Sequence, residues 1–320
     1  MLGRRSRHQF SIFLWTRSNV SVAIITIAGL ILAGSLTWPA VAQDTLLYGF
    51  AEGDLAKYRL SIVQRITIAG QGASSETVRY SYTYQQRVGR NRSGTASLDI
   101  DMLGVRFKMG TNARQFDSTI ASHFEASKTN PPIWVYGAIS TSKARMGIKP
   151  NGQVMYFRLV SVDSPFDDEQ TKDMVTRSIE ELKDHAFLTV PGTQIDGNQI
   201  WRTLVPIRLL GSLGLTGHTI FAPVTLSLDS IEGTGANRIA RYSVRSFQTP
   251  DIGMTEGSLS DVKMELELRG LDGSVSFAIA KGQIENYEFR IRTKYVVTAD
   301  GSLIQDHQME EEVSLERLAN

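Results

Sequence analysis

Strict alternation of apolar and polar residues recurs along most of this chain, and no other feature restricts the fold as much. From Val78 to Val88, Val78, Tyr80, Tyr82, Tyr84 and Val88 share one parity, while Arg79, Ser81, Thr83, Gln85 and Arg87 share the other. Val262, Met264, Leu266 and Leu268 alternate with Lys263, Glu265, Glu267 and Arg269. The same period runs through Leu60–Ile68, Ala96–Met102 and Tyr287–Val297. A period of two places successive side chains on opposite faces of a strand. The pattern therefore demands antiparallel strands with one face on a core and the other in water.

Tight-turn dipeptides punctuate the strands. Asn151-Gly152 separates Ala144–Ile148 from Gln153–Val160, Asp272-Gly273 separates Met264–Leu268 from Val275–Ala280, and Asp300-Gly301 separates Tyr287–Thr298 from Leu303–Leu315. These pairs tolerate the positive φ that two-residue hairpins require. Asp196-Gly197 supplies a fourth, weaker signal. One segment follows a different period. Met174, Val175, Ile179, Leu182 and Ala186 recur at helical spacing, Ser164-Pro165 and the acids Asp167 and Asp168 precede them, and Pro191-Gly192 lies beyond. Ser as N-cap, Pro at the first helical position and carboxylates in the first turn predict an amphipathic helix over about 165–187. The fold class is mainly β: an antiparallel curved sheet or incomplete barrel with one central helix. A likeness between Met146–Val154 and Phe277–Ile284 suggests two related β units, 46–162 and 196–318, joined by that helix.

Residues 1–42 read as an export signal. Arg4, Arg5, Arg7 and Arg17 form a basic region without acids, Val20–Leu36 is an apolar run, and Ala40-Val41-Ala42 is a small-residue cleavage pattern. Cleavage is expected after Ala42, leaving the β-rich domain 43–320 in the periplasm or secreted. Retention of the apolar run as an anchor is the alternative, and only then does the protein hold to a membrane. The chain has no Cys, so neither a thioether lipid anchor nor a disulfide can form, and it is not a lipoprotein. Without disulfides, stability has to come from a core, which a chain of this length can bury. Loss of the four arginines takes the formal charge from +1 to −3, and no basic patch for nucleic acid is visible.

The layout resembles an uncharacterised bacterial family of exported β-rich proteins, a domain of unknown function. The matching residues are Phe50-x-x-Gly53-Asp54-x-x-x-Tyr58, Gly94-Thr95-Ala96, Gly152-Gln153-Val154, and Gly273…Phe277…Gly282-Gln283-Ile284 before a terminal hairpin. The resemblance spans nearly all of 46–318 and implies location and fold. It implies no activity, cofactor or catalytic residue.

The residues that carry chemistry in other proteins are scattered. His123, His185, His218 and His307 fall in no metal-ligand spacing. Ser140-Thr141-Ser142-Lys143 matches a loose S-x-x-K string, but Tyr136–Ile148 reads as strand, where that chemistry needs a helix. Asp163, Asp167, Asp168 and Glu169 have a capping role to fill, and Asp99 and Asp101 lie on a polar strand face. The run Glu310–Glu312 reads as a solvated strand edge. Gly211–Gly217 lacks the Lys of a phosphate loop and reads as a connecting loop or a lip over a cavity. No residue is assigned a catalytic or metal-binding role, and no cofactor is expected.

Aromatics are the remaining candidates. Tyr80, Tyr82 and Tyr84 form a stripe on one strand face, and Trp134 and Tyr136 form a pair read as lying on another. Such a stripe binds an apolar ligand or forms a ladder inside a core, and the core reading takes precedence. The functional expectation is an exported envelope protein, non-enzymatic rather than an enzyme, that binds an apolar ligand such as lipid, or another envelope protein. The alternatives are an envelope-polymer hydrolase using carboxylates and a structural part of a surface assembly.

Overall fold

The computed structural model describes residues 45–69, 74–110, 114–163, 165–166, 168–195, 199–209, 218–246, 262–299 and 302–319. The segments 1–44, 196–197, 211–217 and 300–301, on which sequence expectations fall, lie outside the described residues, as do Ser164 and Asp167.

Among the described residues, twelve strands form one antiparallel sheet. They are β1 (Leu55–Ala69), β2 (Ser74–Arg92), β3 (Thr95–Met109), β4 (Arg114–Asp117), β5 (Lys143–Ile148), β6 (Val154–Ser161), β7 (Ile200–Leu209), β8 (His218–Glu232), β9 (Ile239–Ser246), β10 (Val262–Ala278), β11 (Gln283–Ala299) and β12 (Ser302–Leu318). Their order is β6-β5-β3-β2-β1-β12-β11-β10-β9-β8-β7, with β4 added beside the end of β3. The sheet does not close, so β6 and β7 are its edges. The first half runs outward from the centre to β6 and the second runs back inward from β7, so that the first and last strands pair at the centre from Lys57↔Leu318 to Ala69↔Asp306 without a register shift.

Alternation sorts the side chains as expected. The inner face carries Leu60, Ile62, Tyr82, Leu98, Phe289, Val313 and Leu315, all buried. Bulges reset the parity, as in β3 and β10. In β3 an extra residue, Leu103, moves the inner positions from Ala96, Leu98, Ile100 and Met102 to Val105 and Phe107, and leaves Leu103 exposed. In β10 the bulge at Arg269 moves them from Leu266 and Leu268 to Leu271, Val275 and Phe277. Bulges of this kind bend a strand and re-aim its side chains.

The β10 bulge corrects one sequence expectation. Asp272-Gly273 is no turn; it lies inside β10, pairing Arg290 and Phe289. Glycine is required there by close approach: an added Cβ would stand 2.1 Å from the Glu288 carbonyl oxygen and 2.8 Å from the Phe289 ring. The hairpin turn falls later, at Gly282, where φ is +58°. Asn151-Gly152 does turn the chain between β5 and β6, with Gly152 at φ +85°.

Among the described residues three α-helices join the sheet: α1 (Ala121–Ser127), α2 (Pro131–Ser140) and α3 (Glu169–Ala186). The long helix expected over 165–187 is α3, but it starts at Asp168 rather than near Pro165. The Asp168 carboxylate accepts the Thr171 backbone N–H at 2.9 Å, which caps the helix with a charge suited to its positive end. Val175, Ile179, Leu182 and Ala186 form its buried stripe. The two short helices were not anticipated. Pro131-Pro132 opens α2, and Gly137 lets it approach α1, since a Cβ there would meet Ser127 Oγ. The S-x-x-K string spans the end of α2 and the start of β5, with Ser140 and Ser142 bonded back to the Gly137 and Ile139 carbonyls. Among the described residues no helix is long and apolar enough to cross a membrane.

Replacing Gly273 by Ala is expected to force the Phe289 ring and the β11 backbone apart and to cost about 1–3 kcal/mol. The measurement is the urea midpoint of the variant; an unchanged midpoint would mean that β10 and β11 do not approach as described.

Candidate functional site

The inner face of the sheet is the candidate site, and it divides into zones of different chemistry. Its first zone lies where the N-terminal segment crosses. Tyr48 donates its hydroxyl to the Leu188 carbonyl at 3.0 Å and accepts the Leu188 N–H at 3.2 Å. Its ring packs edge-on against Phe187 and Phe277, with centroids 5.3 and 5.6 Å away. Tyr58 stacks on Tyr84, and Tyr287 stacks on Phe289 with centroids 4.6 Å apart. The Tyr287 hydroxyl donates to the His185 carbonyl at 2.7 Å, which ties α3 to β11. The Tyr84 hydroxyl is fully buried and makes no hydrogen bond. Burial pushes the phenols of Tyr48, Tyr58, Tyr84 and Tyr287 up, Tyr58 to about 12, so all are neutral hydroxyls at pH 7.

The second zone holds the remaining aromatic candidates. Tyr80 and Tyr82 are buried, and Tyr80 packs on Phe107 with centroids 5.4 Å apart. Trp134 and Tyr136 are not on a strand, as the sequence reading had them; they are half-buried on α2. Their i, i+2 spacing imitates a strand because α2 is apolar nearly all round and so offers no helical period. Tyr136 stacks on Phe107 at 4.3 Å and reaches Tyr80 at 6.3 Å, so α2 brings Tyr136 to the Tyr80 end of the stripe. Tyr84 belongs instead to the first zone. Three of the five candidates, Tyr80, Tyr82 and Tyr84, are therefore packed side chains in a continuous core.

The third zone spans β7–β10. Trp201 meets Tyr242 edge-on at 4.4 Å, and the Tyr242 hydroxyl donates to Gln199 Oε1 at 2.9 Å. Around them Val205, Ile207, Val224 and Leu226 are buried. The helices do not share this zone evenly. α1 and α2 pack on β3 and β4, and α3 packs on β6, β1 and β7. Among the described residues no helix packs to a like extent on β8–β11.

The fourth zone is polar, and sequence reasoning missed it. The run Glu310–Glu312 is not at an edge, because β12 is paired on both sides. Glu310 and Glu312 face outward, where Arg65 meets them at 3.3 and 3.0 Å. Glu311 faces inward and is fully buried, accepting Gln64 Nε2 from the facing position of β1. It is the one fully buried carboxylate among the described residues. Four register pairs further on, two positions along the same face, Tyr295 stacks on His307 and bonds its Nδ1 at 2.9 Å. Burial holds the His307 imidazole below its ordinary value of 6.5. Thr293 lies between them on the same face, 2% exposed. The signal was present in the parity: Glu311 shares the odd positions of Met309, Val313 and Leu315. Among the described residues no group of three or more His, Asp or Glu is placed to hold a metal ion.

No family model matches the chain, and no curated protein matches it. Among solved structures it is similar to lipovitellin, in a structure of its lipid–protein interactions, at 10% identity and a TM-score of 0.43; the match covers 85% of this chain and 26% of that one. The chain thus spans about a quarter of the lipovitellin chain. It is also similar to DynF from the dynemicin biosynthesis pathway of Micromonospora chersina, at 6% identity and a TM-score of 0.19, over 85% of each chain.

Two conservative variants separate the roles of the buried phenols. Tyr84→Phe removes a hydroxyl that was desolvated without a partner, so stability should hold or rise by about 1 kcal/mol. Tyr287→Phe removes the tether to α3 and should cost about 1 kcal/mol. Chemical denaturation of both decides it, and equal effects would contradict the hydrogen-bond assignment.

Proposed function

We propose that this protein is an exported cell-envelope protein that binds an apolar ligand, of the size and character of a lipid acyl chain, on the inner face of its sheet. One observation carries the reading. The inner face is apolar across both halves of the sheet, from Met146 on β5 to Val205 on β7. Apolar surface that closes over a long chain is what a carrier needs, because burial stabilises by roughly 25 cal/mol per Å² in a ligand as in a core. An open sheet suits this better than a closed small barrel, whose interior its own side chains fill.

Location is argued from the first 42 residues, whose basic region, apolar run and Ala40-Val41-Ala42 pattern support export with cleavage after Ala42. A periplasmic or secreted carrier meets lipids without a membrane span of its own. A second reading has one observation in its favour: Ile200 and Leu204 of the edge strand β7 are 66% and 54% exposed, which suits a partner protein that adds a strand there.

Native mass spectrometry of the protein purified from its own envelope tests the proposal. The expected spectrum carries an added mass of lipid size, removed by organic extraction. Reproducible absence of that mass, together with a stoichiometric protein partner, would overturn the carrier reading in favour of assembly.

A further inference from the structure

Several cations on the outer face of the sheet meet an acid directly across the strands: Arg59 faces Glu316, Arg65 faces Glu310, Arg106 faces Asp117 and Arg145 faces Asp99. Arg79 does not. It has Val63 on one side and Lys108 on the other, and Lys108 in turn has Gln115 as its second neighbour. Like charges are thus directly opposed, with Cα atoms roughly 4.5–5.5 Å apart, which destabilises a sheet unless something neutralises them. Both side chains are exposed, and neither makes an ion pair among the described residues. The pair opens on a cavity of about 720 Å³ at the end of β2 and β3, lined also by Ser74, Ser75, Glu76 and Thr77. Ser75 and Thr77 share the outward parity of Arg79, and their hydroxyls make no hydrogen bond among the described residues. Glu76 has the inward parity, opposite Ile66. Arg79 and Lys108 against the single carboxylate of Glu76 leave the cavity net positive.

We propose that Arg79, Lys108, Ser75 and Thr77 form a binding site for a phosphate group, carried by free phosphate or by the head group of a lipid. The chemistry follows from the donors present. A guanidinium presents a planar fork that matches two phosphate oxygens, an ammonium adds a compact charge, and the hydroxyls donate to a further oxygen. A phosphomonoester carries a charge of about −1.5 to −2 at pH 7, which matches the pair of cations it would sit between. A protonated amine would be repelled there, and a neutral sugar would leave the opposed charges uncompensated. A carboxylate has two oxygens, enough for the Arg79 fork but not for Lys108 and the hydroxyls as well. The site is open to solvent and lies on the opposite face of the sheet from the apolar ligand proposed above, so it stands independently of the carrier reading.

Titration calorimetry of the full chain with inorganic phosphate and with dihexanoyl phosphatidate, below its micelle concentration, tests this. Ionic strength is held constant with sodium chloride, because exposed charges are screened by salt. Saturable binding is expected, with a Kd of about 1 mM or tighter for at least one probe. Arg79→Gln and Lys108→Gln should each weaken it by about threefold to tenfold, the amount one charge-assisted hydrogen bond supplies. Lys57→Gln is the control: this exposed cation lies on the same face of β1, about 20 Å along the strand from the position opposite Arg79, and should change the affinity by less than about twofold. Tighter binding of the phosphatidate assigns the site to a lipid head group, and equal or tighter binding of inorganic phosphate assigns it to the free anion. No saturable binding of either probe by about 20 mM, binding that survives both substitutions, or an equal loss with Lys57→Gln would overturn the site. None of these results bears on the lipid-sized mass expected by native mass spectrometry, so the two proposals fail separately.

Discussion

The pairing of β1 with β12 is the interaction on which the rest of the structure depends. Every other neighbouring pair on the main path of the sheet is close in sequence, whereas this one joins residues near 60 to residues near 310. Without it there are two sheets of half the width, with two more edges between them. With it, Leu60 faces Leu315 and Ile62 faces Val313, and the inner face becomes continuous. The outer side of the same seam adds exposed ion pairs such as Arg65 with Glu312, which contribute little by comparison. The stabilisation therefore lies on the inner side, in buried aliphatic contact across an unshifted register. Closing so long a loop costs more chain entropy than any other pairing on the main path of the sheet.

The seam dictates where α3 must go. Strand β6 ends at one edge and β7 begins at the other, so the connection has to span the sheet, and α3 touches β6, β1 and β7 in doing so. The N-terminal segment binds the same region from another direction. Leu46 N–H meets the Thr193 carbonyl, Tyr48 N–H the Pro150 carbonyl and Gly49 N–H the Gly282 carbonyl. One turn from each half and the segment after α3 are thus held by one short piece of backbone. Gly49 and Gly282 make this approach feasible, since a Cβ on either would collide with the other's strand.

Much of this was legible in the sequence wherever a single period ruled. β2 reads directly from Tyr80, Tyr82 and Tyr84, and α3 from Val175, Ile179, Leu182 and Ala186, because in each case burial falls on one face. Legibility failed where the period broke or was absent. The bulge at Arg269 changes parity within β10, and Asp272-Gly273 just beyond it has the composition of a turn. α2 is apolar nearly all round, so Trp134 and Tyr136 passed for strand residues. Glu310–Glu312 looked uniform as a charge run, yet parity turns its middle residue inward. The aromatic candidates were legible as packed side chains. The polar zone was not, because it depends on which strands lie side by side, and β12 sits beside β1 only through a contact between the two ends of the domain.

That contact is the account's central claim, and the absence of native cysteine makes it directly measurable. Ser61 and Ser314 face each other across the seam on the outer side of the sheet. Directly opposed residues of antiparallel strands have Cα atoms roughly 4.5–5.5 Å apart, within reach of a disulfide. In a Ser61→Cys, Ser314→Cys double variant, mild oxidation of the folded protein should form the intramolecular disulfide in full. Persistence of both free thiols in a protein that retains its β-sheet signal would contradict the pairing of β1 with β12, and with it the single continuous inner face.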